Sequence, residues 1–191
     1  MRLMAVIWAA AIAGGTPQAG EMMRRVTVCM QTRASALDHR SQAIASEMFA
    51  GIGVRIEWRQ THRSCLEAPD AMVINVMNRT PRDYRPGALA FTLPYEGFHI
   101  VVFLDRITKS VGPLTAPSLL AHVLAHEIAH MLQGVTRHSE TGVMKEQWQA
   151  RDIERMAWRP LSFTEDDVRL IHLGLQKRIS WRPQDGGAAK R

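Results

Sequence analysis

From residue 24 the chain alternates apolar and polar positions, Val26, Val28 and Met30 against Thr27, Cys29 and Gln31, which is the period of a β-strand over residues 24–32. The period then lengthens. Leu37, Ile44, Met48 and Phe49 recur among Asp38, Arg40, Gln42 and Glu47, an amphipathic helix over residues 36–50 that Ser35 can cap and Gly51 and Gly53 can stop. Alternation returns in residues 54–60, so strand, helix and strand form a right-handed crossover whose two strands lie parallel. Residues 61–70 read as a polar loop carrying Cys65, and the apolar run over residues 71–77 predicts a largely buried strand. Pro81 and Pro86 break residues 78–87, after which residues 88–93 and 99–107 predict two strands joined through Pro94, Tyr95, Glu96 and Gly97. So short a connection makes them an antiparallel hairpin, one strand of which forms an edge.

A second helical period follows. Thr115 or Ser118 can cap it, Pro117 suits its first turn, and Leu119, Leu120, Val123, Leu124, Ile128 and Met131 run on to Gly134, a natural stop. With Leu120, Val123, Leu124, Ile128 and Met131 packed on the sheet, His122, His126 and His130 form a stripe on another face. Residues 146–158 and 164–179 predict two more helices, the second opened by Thr164 with Asp167 in the acidic position of a capping box. The expected fold is α/β, a mixed, mostly parallel, twisted sheet of about five strands with an antiparallel edge, packed on the histidine-bearing helix and followed by C-terminal helices.

The first residues follow neither period. Arg2 precedes an almost wholly apolar run over residues 3–13 and then Gly14, Gly15, Thr16, Pro17, Gln18 and Ala19, the make-up of a secretory signal peptide over residues 1–19. That leaves residues 20–182 as one domain and residues 183–191 as a flexible basic tail. No later stretch is apolar enough to span a bilayer, so the expected location is secreted or periplasmic, with no integral membrane segment after removal of the leader. A hydrophobic content of 46% in 191 residues is enough to bury a core. The formal charge of +6 and the pI near 10.0 come from Lys and Arg scattered among acids, which argues against nucleic acid as a partner. Export would let Cys29 and Cys65 pair, adding about 3 to 4 kcal/mol by loop closure; two separate buried thiols are the alternative.

The chemistry is concentrated in residues 122–144, H-V-L-A-H-E-I-A-H-M-L-Q-G-V-T-R-H-S-E-T-G-V-M. His126, Glu127 and His130 form H-E-x-x-H. Residues four apart on a helix share a face, so both imidazoles can reach one metal ion, with Glu127 near enough to take a proton from the water that such an ion activates. A catalytic zinc takes three protein ligands and keeps a further position open. Gly134 lets the chain reverse, so that His138 can return as the third ligand; Glu140, Glu146 and Glu154 are rival donors. His122 lies one turn before His126, and three successive histidines on a straight helix cannot converge on one ion, so it is expected either to support the site or to sit in the core, bonded to a carbonyl or an acid.

These residues resemble the metzincin clan of zinc peptidases, whose pattern is H-E-x-x-H-x-x-G-x-x-H followed by a methionine-bearing turn. Small secreted bacterial proteins with an H-S-x-T-G-x-M loop are similar in the stretch after Arg137. The spacing here is H-E-x-x-H-x-x-x-G-x-x-x-H, with Gly134 four and His138 eight residues after His130, so the loop is two residues longer than in the clan. The resemblance implies a strand, a helix, four strands and then the active-site helix, and it implies that Met144 is a hydrophobic floor under the metal. It further implies that the edge strand at residues 88–93, or its neighbour, pairs with an extended peptide, and that Tyr95 helps hold the oxyanion. The function so implied is that of a zinc metalloendopeptidase with one catalytic Zn2+, Glu127 as general base and a peptide or protein substrate. Two readings from other classes are a catalytically silent zinc-containing envelope binding protein, against which the intact Glu127 argues, and a nucleic-acid-associated metalloprotease, against which the leader and the scattered charge argue.

Overall fold

A computed structural model of the chain describes residues 23–31, 36–60, 62–68, 70–92 and 99–180. The expected leader, the Ser35 cap, the turn with Tyr95 and the basic tail lie outside them. The elements in order are β1 (Arg24–Gln31), α1 (Ala36–Ala50), β2 (Val54–Arg59), α2 (His62–Leu66), β3 (Met72–Met77), β4 (Ala90–Thr92), β5 (His99–Phe103), α3 (Leu104–Ser110), α4 (Ala116–Gln133), α5 (Ala150–Met156) and α6 (Glu165–Ser180).

The strands form one five-stranded sheet in the order β2-β1-β3-β5-β4. β1 is parallel to β2 and β3, β3 is parallel to β5, and β4 runs antiparallel to β5 at the edge, the mixed and mostly parallel sheet that the alternation predicts. The register sets Val26 beside Ile56, Val28 beside Met72, and Met30, Ile74 and Ile100 in a row. All of these are buried, so the apolar positions of successive strands gather on one face. α1 and α4 pack on each other, α1 against β2 and α4 against β4 and β5, which closes the core over that face. β3 is buried at Met72 and Ile74 but only half-buried at Val73, Asn75, Val76 and Met77, so it is less buried than its apolar run predicts, with one side covered more fully than the other. Cys29 alternates with Val28 and Met30 and leaves the other face of the sheet, where it forms a disulfide with Cys65 of α2, closing a sequence separation of 36.

Several elements differ from the expectation, each for a local reason. The polar loop at residues 61–70 contains the short helix α2, with Arg63 and Glu67 paired one turn apart. β5 stops at Phe103 and the chain turns into α3, where Leu104 and Ile107 repeat at helical spacing and Asp105 accepts a bond from Thr80 at 2.6 Å. α5 is shorter than residues 146–158 because Gln149 and Asp152 cap each other's backbone and fix its start at Ala150. The largest difference concerns α4. It is not an amphipathic helix with a polar face: every residue from Ala116 to Gln133 except Glu127 is buried. α1, α3, α5, α6 and the sheet surround it, and at Gly174 α6 comes so close that an added Cβ would collide with the Leu132 carbonyl.

Candidate metal centre

α4 starts with Thr115 at its N-cap, where the side chain makes no capping bond, and Pro117 in its first turn. It ends at Gly134, whose φ of 67° belongs to the left-handed region and whose N–H donates to the His130 carbonyl at 2.9 Å. That reversal turns the Val135 carbonyl back toward the helix, where it accepts a bond from His130 Nδ1 at 3.0 Å. His126 Nδ1 donates in the same way to the Val143 carbonyl at 2.9 Å. A carbonyl can only accept, so each Nδ1 carries the ring proton and each Nε2 presents a lone pair.

Those two lone pairs converge, and Nε2 of His138 lies beside them. His130 Nε2 lies 3.0 Å from His126 Nε2 and 3.2 Å from His138 Nε2, and the three donor atoms all fall within 4.8 Å of one another. Bare lone pairs so placed repel, whereas ligands on a tetrahedral zinc at bond lengths of about 2.0–2.1 Å stand roughly 3.3 Å apart. The donor set therefore suits a dication. Burial pushes both helix rings down, His126 to about 4 with help from the neighbouring His130 and His138, and His130 likewise to about 4, so both stay neutral and able to ligate at pH 7. Glu127 is the one residue of α4 that is only half-buried, but its carboxyl is largely desolvated at the cleft wall, which raises it to about 8, a shift that a dication at the cluster would oppose.

Glu127, His126 and His138 line a cleft of about 490 Å³, bounded also by Ala88, Lys145 and Trp148. The Trp148 ring stands edge-on to His126 at 5.6 Å, and its Nε1 donates to the Gly142 carbonyl at 3.3 Å. Lys145 is tied to Asp152 of α5 at 2.5 Å, which anchors the same wall. The loop after α4 returns through Gly142, with a φ of 78°, where any Cβ would strike the Ser162 carbonyl. Val143 N–H then donates to that carbonyl at 3.1 Å, which aims the Val143 carbonyl at His126. Met144 is fully buried beside it, and its own carbonyl accepts from the Ser139 N–H at 2.8 Å, next to His138.

His122 stays apart from the cluster. Its Nδ1 donates to the Ser118 carbonyl at 2.7 Å and its Nε2 accepts from the Leu161 N–H at 2.9 Å, so both ring nitrogens are spent on backbone in the core. Of the rival donors, Glu154 sits on α5 and Glu146 on the cleft wall, and neither they nor Glu140 join the group of donor atoms formed among the described residues. No pattern in the sequence marks Trp148 or the Val135 and Val143 carbonyls, although Gly134 and Gly142 mark the reversals that deliver the carbonyls. Asp167, expected only as a helix cap, also bonds to Arg137 and Ser139 on either side of His138.

In comparisons with known proteins the chain matches no family model and no curated protein. Among solved structures it is similar to the crystal structure of archaemetzincin from Methanopyrus kandleri, with a TM-score of 0.53 and 16% sequence identity, over 84% of this chain and 99% of that one. The two share the fold.

Proposed function

We propose that the chain is a zinc-dependent metallopeptidase in which His126, His130 and His138 hold one zinc ion and Glu127 is the general base. The observation that carries this reading is the convergence of three Nε2 atoms, two of them with their tautomer set by backbone carbonyls. The shared fold with an archaemetzincin supports it. Zinc, when bound, supplies a Lewis acid that polarises a carbonyl and acidifies water. Glu127 on the cleft wall takes the proton of the attacking water and hands it to the leaving amine. Met144 packs as the apolar floor of the site, and β4, whose Ala90 borders the cleft, offers a sheet edge along which an extended peptide can add as a strand. The Cys29–Cys65 disulfide suits an oxidising compartment and so supports a secreted or periplasmic protein with a leader over residues 1–19. No helix among the described residues is long and apolar enough to cross a membrane.

The test is to purify the chain, quantify zinc, and profile cleavage of a peptide library with and without chelator. About one zinc per chain and chelator-sensitive cleavage are expected. Glu127→Gln should keep the zinc and lose turnover by at least about 100-fold, as expected when a general base is removed. A Gln variant that cleaves at the wild-type rate removes Glu127 from the chemistry, and a chain that binds no zinc removes the whole reading.

A further inference from the structure

We propose that Asp167 is the positioning residue that holds His138 at the metal site, its two carboxylate oxygens dividing the work between the loop and α6. The inference rests on His138 being the third ligand. His126 and His130 each have a carbonyl that fixes the ring through Nδ1, whereas among the described residues no hydrogen bond holds Nδ1 of His138. His138 is also exposed, so packing does little to fix it. Its position must come from the backbone on either side.

Both flanking residues are tied to one atom. Asp167 Oδ1 accepts from Arg137 Nη1 at 2.9 Å and from Ser139 Oγ at 2.7 Å. Oδ2 faces the helix instead, accepting from the Thr164 N–H at 3.0 Å and from Thr164 Oγ1 at 2.7 Å, while the Asp167 N–H donates back to Thr164 Oγ1 at 3.3 Å. The carboxylate is fully buried. Burial pushes its pKa up, but the bonds from Ser139, Thr164 and Arg137 outweigh that and hold it below the usual carboxylate value, so the group is ionised and its bonds are charge-assisted. An acid on α6 thus grips the loop at the two residues that bracket the ligand.

The division between the oxygens makes the role testable apart from folding. The double variant Arg137→Gln with Ser139→Ala removes the Oδ1 bonds, together with the long, exposed Arg137–Asp166 ion pair at 3.9 Å; Thr164→Ala weakens the Oδ2 side; His138→Ala is the reference for losing the ligand. Zinc affinity is read by competition with a chromophoric chelator, the ligand field by the visible spectrum of the cobalt-substituted protein, and folding by thermal unfolding of the metal-free protein. The double variant should bind zinc about 10- to 100-fold more weakly, with a cobalt spectrum shifted toward that of His138→Ala. Thr164→Ala should lower the unfolding temperature and leave zinc affinity within about twofold, since a lost cap acts on helix stability. Wild-type zinc affinity in the double variant, with weakened affinity in His138→Ala, overturns the role of Asp167 alone. Wild-type affinity in His138→Ala overturns the three-histidine reading and the positioning role with it.

Discussion

His122 shows how much one side chain outside the chemistry contributes. Burial pushes its ring down to about 4, so the folded protein keeps it neutral while the unfolded chain protonates near pH 6.5. Between those values the unfolded state binds the extra proton. The stability that neutral His122 provides is therefore present above about pH 6.5 and drains away as the pH falls toward 4. On going from pH 7 to pH 5 this one group should cost on the order of 2 kcal/mol. His122→Leu strands the Leu161 N–H, which should cost about 1 to 3 kcal/mol at pH 7, yet its stability should fall less steeply with acid. Urea unfolding of both proteins at pH 7 and pH 5 measures the two effects; parallel losses with acid would mean that the ring titrates normally in the folded state.

Among elements, α4 and its partner α6 set the framework in which the site is held. Because the Leu132 carbonyl fills the space beside Gly174, Gly174→Ala has to push α6 outward, and overpacking of this kind costs about 1 to 3 kcal/mol. A lowered urea midpoint is the expected result, and an unchanged one would mean that the helices have room to spare. The same pair of helices shows what could be read in advance. The metal-binding spacing is local, since His126, His130 and His138 are within one helix and one loop, and Gly134 declares the reversal between them. The strands were legible from their period and the antiparallel edge from its short connection, whereas the sheet order β2-β1-β3-β5-β4 was not. Asp167 could not be read as more than a cap, because the 30 residues that separate it from Arg137 are brought together only by tertiary packing. The near-complete burial of α4 was hidden for a related reason: nothing local shows that α1 and α3 from before it in the chain and α5 and α6 from after it close around it on all sides. α3 is not marked in the sequence because Leu104 extends the apolar run of β5 with no Gly or Pro between the two elements.

For the molecule as a whole, the disulfide and the metal site lie on opposite faces of the sheet, so two kinds of reagent should act separately. Loss of the Cys29–Cys65 bond reopens a loop worth about 4 kcal/mol on the chain-entropy estimate. Unfolding with and without a phosphine reductant, which carries no thiol to compete for the metal, should show a loss of that order, and zinc content should stay unchanged at neutral pH; release of zinc on reduction alone would show that the two faces are coupled. The loop from Val135 to Met144 carries a last consequence. Val135, Thr136, Arg137, His138, Glu140 and Thr141 are all exposed, a natural target for nicking. A peptidase cuts a segment that it can draw out straight, and this one is pinned at Val135 by His130, at its middle by Asp167, and at Val143 by Ser162 and His126. If the chain is the peptidase proposed above, copies meeting in solution would find the loop visible and out of reach, so protection from self-digestion would come from the same bonds that order the candidate metal site.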